Sequence, residues 1–528
     1  MCGISGIIGA IANPAILTQM LSKIGHRGEP SYFAEVSYGD GFAVGTNRLA
    51  IVDSSHGKQP FVSEDQRVLC ISNGEIYNYK SFHTIYGQKY KFKTECDIES
   101  ILAGYLISGE AIFDQIEGMY SVFIRDERNE SWYLARDHLG IKPIYYAWDE
   151  KSNFYFSSEL KSFEGLLLIK EIYTLLPGEV IKNGKLIKNR MLYPFGGEGS
   201  SETQENILSQ GRNILESAVQ KMIPNTGEKI ACLLSGGVDS STVLYLAYLA
   251  NAGNVEAYTF YNKQAHQSDD YEAAKQICSL LGIKLITVSP TIEELMDFYL
   301  KRGVWMTETF ECALVRNAVS YHFLCKAVRD DGYKFALSGE GADEILGGYD
   351  YFSRLDVSLR DQAIAKSLEE IHRTYLQMSD RASMFATLEV RVPYMDEDFT
   401  SYVTQLPSQY RISEKGNKWL LRNMYEGEIP DNIRLRAKVG MNQGAGYGSN
   451  DPGESIYYQA ISKYYMLAPM QMQNDLELAQ AIGKDFGLID PNQEEIYNFS
   501  RYIEYGFGRL KNNQTRPQLN TSQLVKSL

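Results

Sequence analysis

The sequence has no CxxC pair, and its seven cysteines, at 2, 70, 96, 232, 278, 312 and 325, are scattered and odd in number. That argues against a disulfide framework and a structural zinc site, and it fits a reducing compartment. No apolar run approaches the ~20 residues of a membrane span. The opening MCGISGIIG also lacks the basic segment that precedes a secretory signal. Both absences lead us to expect a cytoplasmic protein. Positive charge is in deficit: 66 acidic residues against 52 basic ones leave a net charge of -14, which repels phosphate backbones and anionic lipid. We therefore expect no nucleic-acid partner and no membrane partner. The nucleotide-binding patterns GxxxxGKS/T and GxGxxG are missing too.

What is present is a chain of 528 residues with 44% hydrophobic content, too long for one core when single domains run to roughly 100–250 residues. Two enzymatic domains are expected. From residue 1 to about 190, short alternating strands such as VLCISNGEIYNY, YSVFIRDE and SWYLARD are split by Gly, Asn and Asp turns. They read as antiparallel sheets, with helices such as 97–108 packed against them. The Gly-, Ser- and Glu-rich stretch FGGEGSSETQEN at 195–206 breaks all periodicity and marks a boundary. Beyond it, KIACLLS (229–235), a helix at 240–250, VEAYTF (255–260), a helix near 271–281, KLITVS (284–289) and KFALS (334–338) alternate strand with helix. This grammar predicts a doubly wound parallel sheet with ligands at the carboxyl ends of its strands. The stretch from about 360 onward reads as mainly helical.

Cys2 directly follows Met1. Removal of Met1 would leave a thiol and a free α-amine on one residue, and an amine with pKa ~7.7–8.0 can act as general base for its own thiol. An acyl-transfer site also needs donors facing the developing oxyanion, each worth about 3 kcal/mol. Asn73 and Gly74 are the candidates, read as a turn after the strand VLCIS. Arg48 can hold an α-carboxylate in a bidentate fork, and Glu75 and Asp97 can accept from an α-ammonium. Taken singly, each of these residues also reads as a turn residue or a surface ion pair.

In the second half, SGGVDS at 235–240 follows a buried strand and opens a helix. Its backbone N–H groups and the helix N-terminus can cradle a pyrophosphate. Asp239 lies at the mouth of that cradle, where Mg2+ bridging phosphate oxygens needs a carboxylate. SGEGADEILGGY at 338–349 repeats the build after KFALS. There Asp343 can complete the metal shell opposite Asp239, and Glu340 can orient a nucleophile or a catalytic lysine.

MCGISGIIG, HRG (26–28), NRLAIVD (47–53), NGEIYNY (73–79), CDIES (96–100), RDHLGIKPIYY (136–146), SSELK (157–161) and LPGE (176–179) resemble the class II glutamine amidotransferase domain in order and spacing. The resemblance implies an α-β-β-α sandwich of the N-terminal nucleophile hydrolase type over residues 1–195. It implies Cys2 as nucleophile, Asn73 and Gly74 as oxyanion hole, and Arg48, Asn73, Glu75 and Asp97 as glutamine ligands. The two glycine loops, with RASMFATLEVRVPYMD (381–396) and RAKVGMNQGAGYG (436–448), resemble the synthetase domain of the asparagine synthetases, an ATP pyrophosphatase fold, over 207–528. That likeness implies that ATP is split to AMP and pyrophosphate through a β-aspartyl-adenylate. It implies ATP contacts at Leu233, Ser235, Gly236, Gly237, Asp239, Ser240, Phe260, Ser338 and Gly339, a catalytic lysine at Lys438, and a homodimer. The expected small molecules are glutamine, ATP with Mg2+, and aspartate.

The chain departs from that pattern near the acceptor. Phe310-Glu311-Cys312-Ala313-Leu314-Val315-Arg316 stands where the family carries paired hydroxyls before its arginine, and Met441-Asn442-Gln443-Gly444 replaces Phe-Ser-Asp-Gly. Arg316 remains to hold a carboxylate. Three readings compete: an asparagine synthetase or a relative amidating another carboxylate; another amidotransferase sharing only the Cys2 domain; and a non-catalytic or ring-closing member. SGGVDS argues against the second, and retention of Cys2, Arg48, Asn73, Gly74 and Asp97 against the third.

Overall fold

The computed structural model describes residues 2–189, 193–196 and 202–447, apart from 225, 226, 228, 252, 265–267, 310, 311 and 415. Its compact units divide between residues 191 and 192. Among the described residues of the first, twelve strands form two six-stranded sheets. One has β1 (Cys2–Ile8) beside β3 (Phe42–Arg48), with β2 (Glu35–Gly39) at one edge and β8 (Tyr145–Asp149), β9 (Phe154–Ser157) and β10 (Ile169–Thr174) toward the other. The second runs from β4 (Phe61–Val62) through β5 (Val68–Ile76), β6 (Gly118–Asp126) and β7 (Ser131–Arg136) to β11 (Val180–Lys182) and β12 (Lys185–Lys188). All pairings recorded in these sheets are antiparallel.

Side-chain alternation explains the layering. In β5, Leu69 and Ile71 join Ile4, Val44 and Phe156 in a core between the sheets. Val68 and Cys70 point the other way, into a core shared with Ile101, Leu102 and Tyr105 of α3 (Glu99–Ser108) and Phe82 of α2 (Tyr79–Tyr86). Period-two alternation with both faces buried gives a near-continuous apolar strand. With α1 (Pro14–Lys23) against β1 and β3, the order of layers is α-β-β-α.

Among its described residues, the second unit is built on five parallel strands in the order β15-β14-β13-β16-β17, namely Lys284–Val288, Val255–Phe260, Ile230–Leu233, Phe335–Leu337 and Glu389–Arg391. Strand order reverses between β13 and β16, the switch point at which such sheets open a crevice. After α4 (Gln204–Lys221), α5 (Val238–Ala250) follows β13 with Gly237 at its cap, and α6 (Asp269–Leu281) follows β14. Both α5 and α6 begin two residues earlier than their hydrophobic periodicity alone indicates. For α6 the reason is a local cap: the Ser268 side chain accepts from Tyr271 N at 3.2 Å, and Asp269 and Asp270 suit the positive helix end. Beyond 360 the described residues include the helices Tyr375–Phe385 and Glu397–Gln405, and β17 adds a strand to the sheet. The rest of the expected helical stretch, past 447, lies outside the described residues. Among the described residues, no helix is long and apolar enough to cross a membrane.

Candidate active sites

Cys2 opens β1, paired with Arg48 at the end of β3, and is 4% exposed. Its backbone N donates to Asn73 Oδ1 at 3.1 Å. The Asn73 amide nitrogen, by contrast, is buried and finds no hydrogen-bond partner among the described residues. An orphaned buried donor beside a nucleophile is costly unless a ligand oxygen meets it. Burial pushes the Cys2 thiol above its ordinary value, with Arg48 opposing.

The turn expected at Asn73-Gly74 is not there. Both residues lie inside β5, opposite Ser121 and Tyr120 of β6. Gly74 has φ +151°, and a Cβ on it would fall 2.0 Å from Met119 O. The glycine serves close strand approach, a role that Asn-Gly also fills outside hairpins.

Arg48 is fixed by carbonyls: Nη2 donates to Asp53 O at 2.8 Å and Val52 O at 3.3 Å, and Nη1 to Ser54 O at 3.2 Å. Asp97 Oδ2 accepts from Ile76 N at 2.7 Å, just past Glu75. Arg48, Glu75 and Asp97 are all nearly buried. Gln59, which the motif reading passed over, places Nε2 3.4 Å from Cys2 Sγ.

In the second unit, the two glycine loops meet at the switch point around a cavity of about 700 Å³, counted with its open mouth. Leu233, Ser235, Asp239, Ser240, Phe260, Ser338, Gly339, Glu340, Asp343 and Lys438 all line it. Gly236, Gly237 and Arg316 are not among its lining residues. Gly236 (φ +74°) forms the turn beneath, where a Cβ would meet Asp270 O at 2.5 Å. A Cβ on Gly339 would meet Ser240 N at 2.8 Å, so the loops touch through backbone. Arg316 lies half-buried on the helix Cys312–Asp330. Phe310 and Glu311 fall outside the described residues.

Electrostatics dominate this cavity. Lys418 Nζ lies 2.6 Å from Asp239 Oδ2 and 2.5 Å from Asp343 Oδ1, and Lys438 Nζ lies 2.7 Å from Asp343 Oδ2. Burial opposes the Asp343 charge, but the two lysines hold its carboxyl well below the usual range. Burial likewise opposes the Lys438 charge, and Asp343 and Asp239 outweigh it and keep the ammonium protonated. Burial pushes Glu340 up to about 7, with Lys438 opposing. Glu344, next to Asp343, is buried and bonded to Tyr349 OH.

Lys418 was missed by the motif reading. It is 1% exposed, has φ +53°, and reaches the carboxylates because Gly348 has no side chain: a Cβ there would fall 2.1 Å from Lys418 Cε. The second glycine of LGGY is the only local signal.

Comparison with known proteins accords with this geometry. A glutamine amidotransferase domain family matches residues 1–175, and an asparagine synthase family matches 210–367 and 358–463. The chain belongs to the asparagine synthetase family. Within it, the chain is 29% identical over 471 residues to glutamine-hydrolyzing asparagine synthetase 2 of Arabidopsis thaliana, covering 85% of this chain and 79% of that one. Glutamine-hydrolyzing asparagine synthetase B of Escherichia coli strain K12 is 27% identical over 484 residues, covering 88% and 86%. The nodule enzyme of Pisum sativum is 29% identical over 469 residues, covering 85% and 79%.

Proposed function

We propose that this member of the family takes ammonia from glutamine and uses ATP to convert aspartate to asparagine, with AMP and pyrophosphate as the other products. The observation that carries the reading is that one chain holds both a buried N-terminal cysteine facing an unfilled amide donor and a switch-point cavity lined by Asp239, Asp343 and Lys438, with Lys418 buried against the two aspartates.

At the first site, the Cys2 sulfur attacks the side-chain amide carbon of glutamine. Its proton passes to the α-amine freed by loss of Met1, and from there to the departing ammonia. The Asn73 side-chain nitrogen and Gly74 N–H stabilise the oxyanion, while Arg48, Glu75 and Asp97 hold the amino-acid end. Water then releases glutamate from the thioester.

At the second site, the aspartate side-chain carboxylate attacks the α-phosphorus and pyrophosphate leaves. Ammonia attacks the acyl carbon and AMP departs. Ser235 to Ser240 cradle the phosphates, Lys438 and Lys418 offset the charge that develops on them, and Glu340 steadies Lys438. Mg2+ fits here, because it asks the protein for only one or two carboxylates and Asp239 Oδ1 is buried with no hydrogen-bond partner among the described residues. Asp239 and Asp343 would hold it, and it would supply charge neutralisation at the departing pyrophosphate. The domains are read as 1–195 and 207–528, the compartment as cytoplasmic on cysteine usage, and the assembly as a homodimer on family resemblance.

A second reading, the same chemistry on a different carboxylate, draws on one feature. Asn442, which replaces a family serine, donates through Nδ2 to Oδ1 of Asn317, the residue after Arg316, at 2.8 Å and accepts at Oδ1 from Ser320 Oγ at 2.5 Å. Product analysis by mass spectrometry, with ATP, Mg2+, glutamine and either aspartate or no acceptor, separates the two. Asparagine formed in step with AMP and pyrophosphate is the expected outcome. Glutaminase activity without asparagine overturns aspartate as acceptor.

A further inference from the structure

Gln59 lies beside the nucleophile and is 2% exposed. Its side-chain amide clasps Ser72, the residue before Asn73: Oε1 accepts from Ser72 N at 2.7 Å, and Nε2 donates to Ser72 O at 3.1 Å. The second Nε2 hydrogen is free for Cys2 Sγ, 3.4 Å away. The oxygen and nitrogen of this amide are not interchangeable. Flipped, Oε1 would face a carbonyl oxygen and Nε2 an N–H, replacing two hydrogen bonds by two repulsions. The clasp on Ser72 therefore forces a donor, not an acceptor, against the sulfur.

We propose that Gln59 is a catalytic residue of the Cys2 site, donating an Nε2–H hydrogen bond to the nucleophilic sulfur and stabilising it as the thiolate. This rests on the glutaminase reading of Cys2. As the thiol proton moves to the α-amine, sulfur keeps the electron pair that forms the bond to carbon, and Gln59 is unchanged. The hydrogen bond is strongest to the charged sulfur, before attack and again when sulfur leaves the thioester. It offsets part of the penalty that burial places on the thiolate.

A residue that merely braced Ser72 would have the same surroundings, so the test must separate donation from bracing. Gln59→Glu keeps an acceptor for Ser72 N but sets a carboxylate against the sulfur. Gln59→Leu loses the clasp and the donor together. In the full-length protein, the rate of Cys2 alkylation by iodoacetamide is followed against pH, alongside glutaminase kcat and KM, with ammonia-dependent amide synthesis as the control for folding.

The expected result is an alkaline shift of the alkylation midpoint by about one pH unit in Gln59→Leu and more in Gln59→Glu. A roughly ten- to hundred-fold loss of kcat should accompany it, with KM within about two-fold. Bracing predicts the reverse ranking, with Gln59→Glu the milder variant. An unmoved alkylation profile, or a rise in KM alone, overturns the proposal. Should Gln59→Leu fail to fold, Gln59→Glu decides. A wild-type protein whose Cys2 shows no glutamine protection from alkylation overturns the glutaminase reading itself, an outcome distinct from those above.

Discussion

Around Cys2 the polar side chains are held by backbone: Arg48 by the carbonyls of residues 52–54, Asp97 by the Ile76 amide, Gln59 by both groups of Ser72. At the cavity of the second unit they are held by one another, with Lys438 on Asp343 and Lys418, behind the cavity wall, between Asp239 and Asp343. Backbone conformation sets the first arrangement whether or not a substrate is present. The second is a balance of charges, in which removal of a lysine leaves the buried Asp239 and Asp343 carboxylates undercompensated. The first site should therefore respond to substitutions of backbone geometry, and the second to substitutions of charge.

The sharpest division is expected from Cys2→Ala. Glutamine-dependent amide synthesis should vanish while synthesis from added ammonia stays within about two-fold of wild type, because the second site keeps its own binding and chemistry. Loss of both would break the comparison at its root. Lys418→Met should do the opposite. With no ammonium between them, Asp239 and Asp343 repel and the phosphates lose a counter-charge. Synthesis should fall by on the order of 10²–10³-fold from either nitrogen donor, with glutaminase turnover unchanged. Product formation with each donor checks both variants, and a Lys418→Met enzyme with full synthetase activity would reduce that lysine to a packing role.

Gly74→Ala probes the backbone side of the contrast. The added methyl meets Met119 O at 2.0 Å, with φ at +151°, and a strand interior cannot move to receive it. A loss of roughly 2–4 kcal/mol is expected, read from urea unfolding of the N-terminal unit. A change under about 0.5 kcal/mol would mean that the glycine matters only as an N–H donor.

Much of this was legible in the chain. Alternation in VLCIS and YSVFI wrote the sandwich, because both strand faces are buried and the period is two. The two glycine loops announced the switch point, because each follows a buried strand directly. What stayed hidden is instructive. Asn73-Gly74 after VLCIS reads as a turn, since Asn-Gly is also a strong hairpin signal, yet the glycine answers to Met119 on the neighbouring strand. Lys418 lies 179 residues from Asp239, and nothing in GNKWLL marks it. Gln59 precedes a proline in a loop, and its meaning comes from Ser72 and Cys2, which only folding brings to it.

The mildest prediction concerns Asp270, where the charge balance extends to the chain that carries Lys438. Asp270 Oδ1 pairs with Arg436 Nη2 at 2.6 Å, two residues before Lys438. Its carboxylate also lies where a Cβ on Gly444 would meet it at 2.0 Å, so Gly444 permits the pairing. Burial pushes Asp270 up to about 6, against the pull of Arg436. A carboxyl whose folded pKa exceeds its unfolded value of ~3.9 binds more protons in the folded state between those limits. Its contribution to stability therefore falls as pH rises from about 4 to about 6, and is level above that. Asp270→Asn should remove this slope, so that the variant gains on wild type by about 2 kcal/mol between pH 4 and pH 7 in denaturant unfolding. Equal slopes would mean that Arg436 keeps the carboxylate charged throughout, and that the clasp on the Lys438 segment holds its strength in acid.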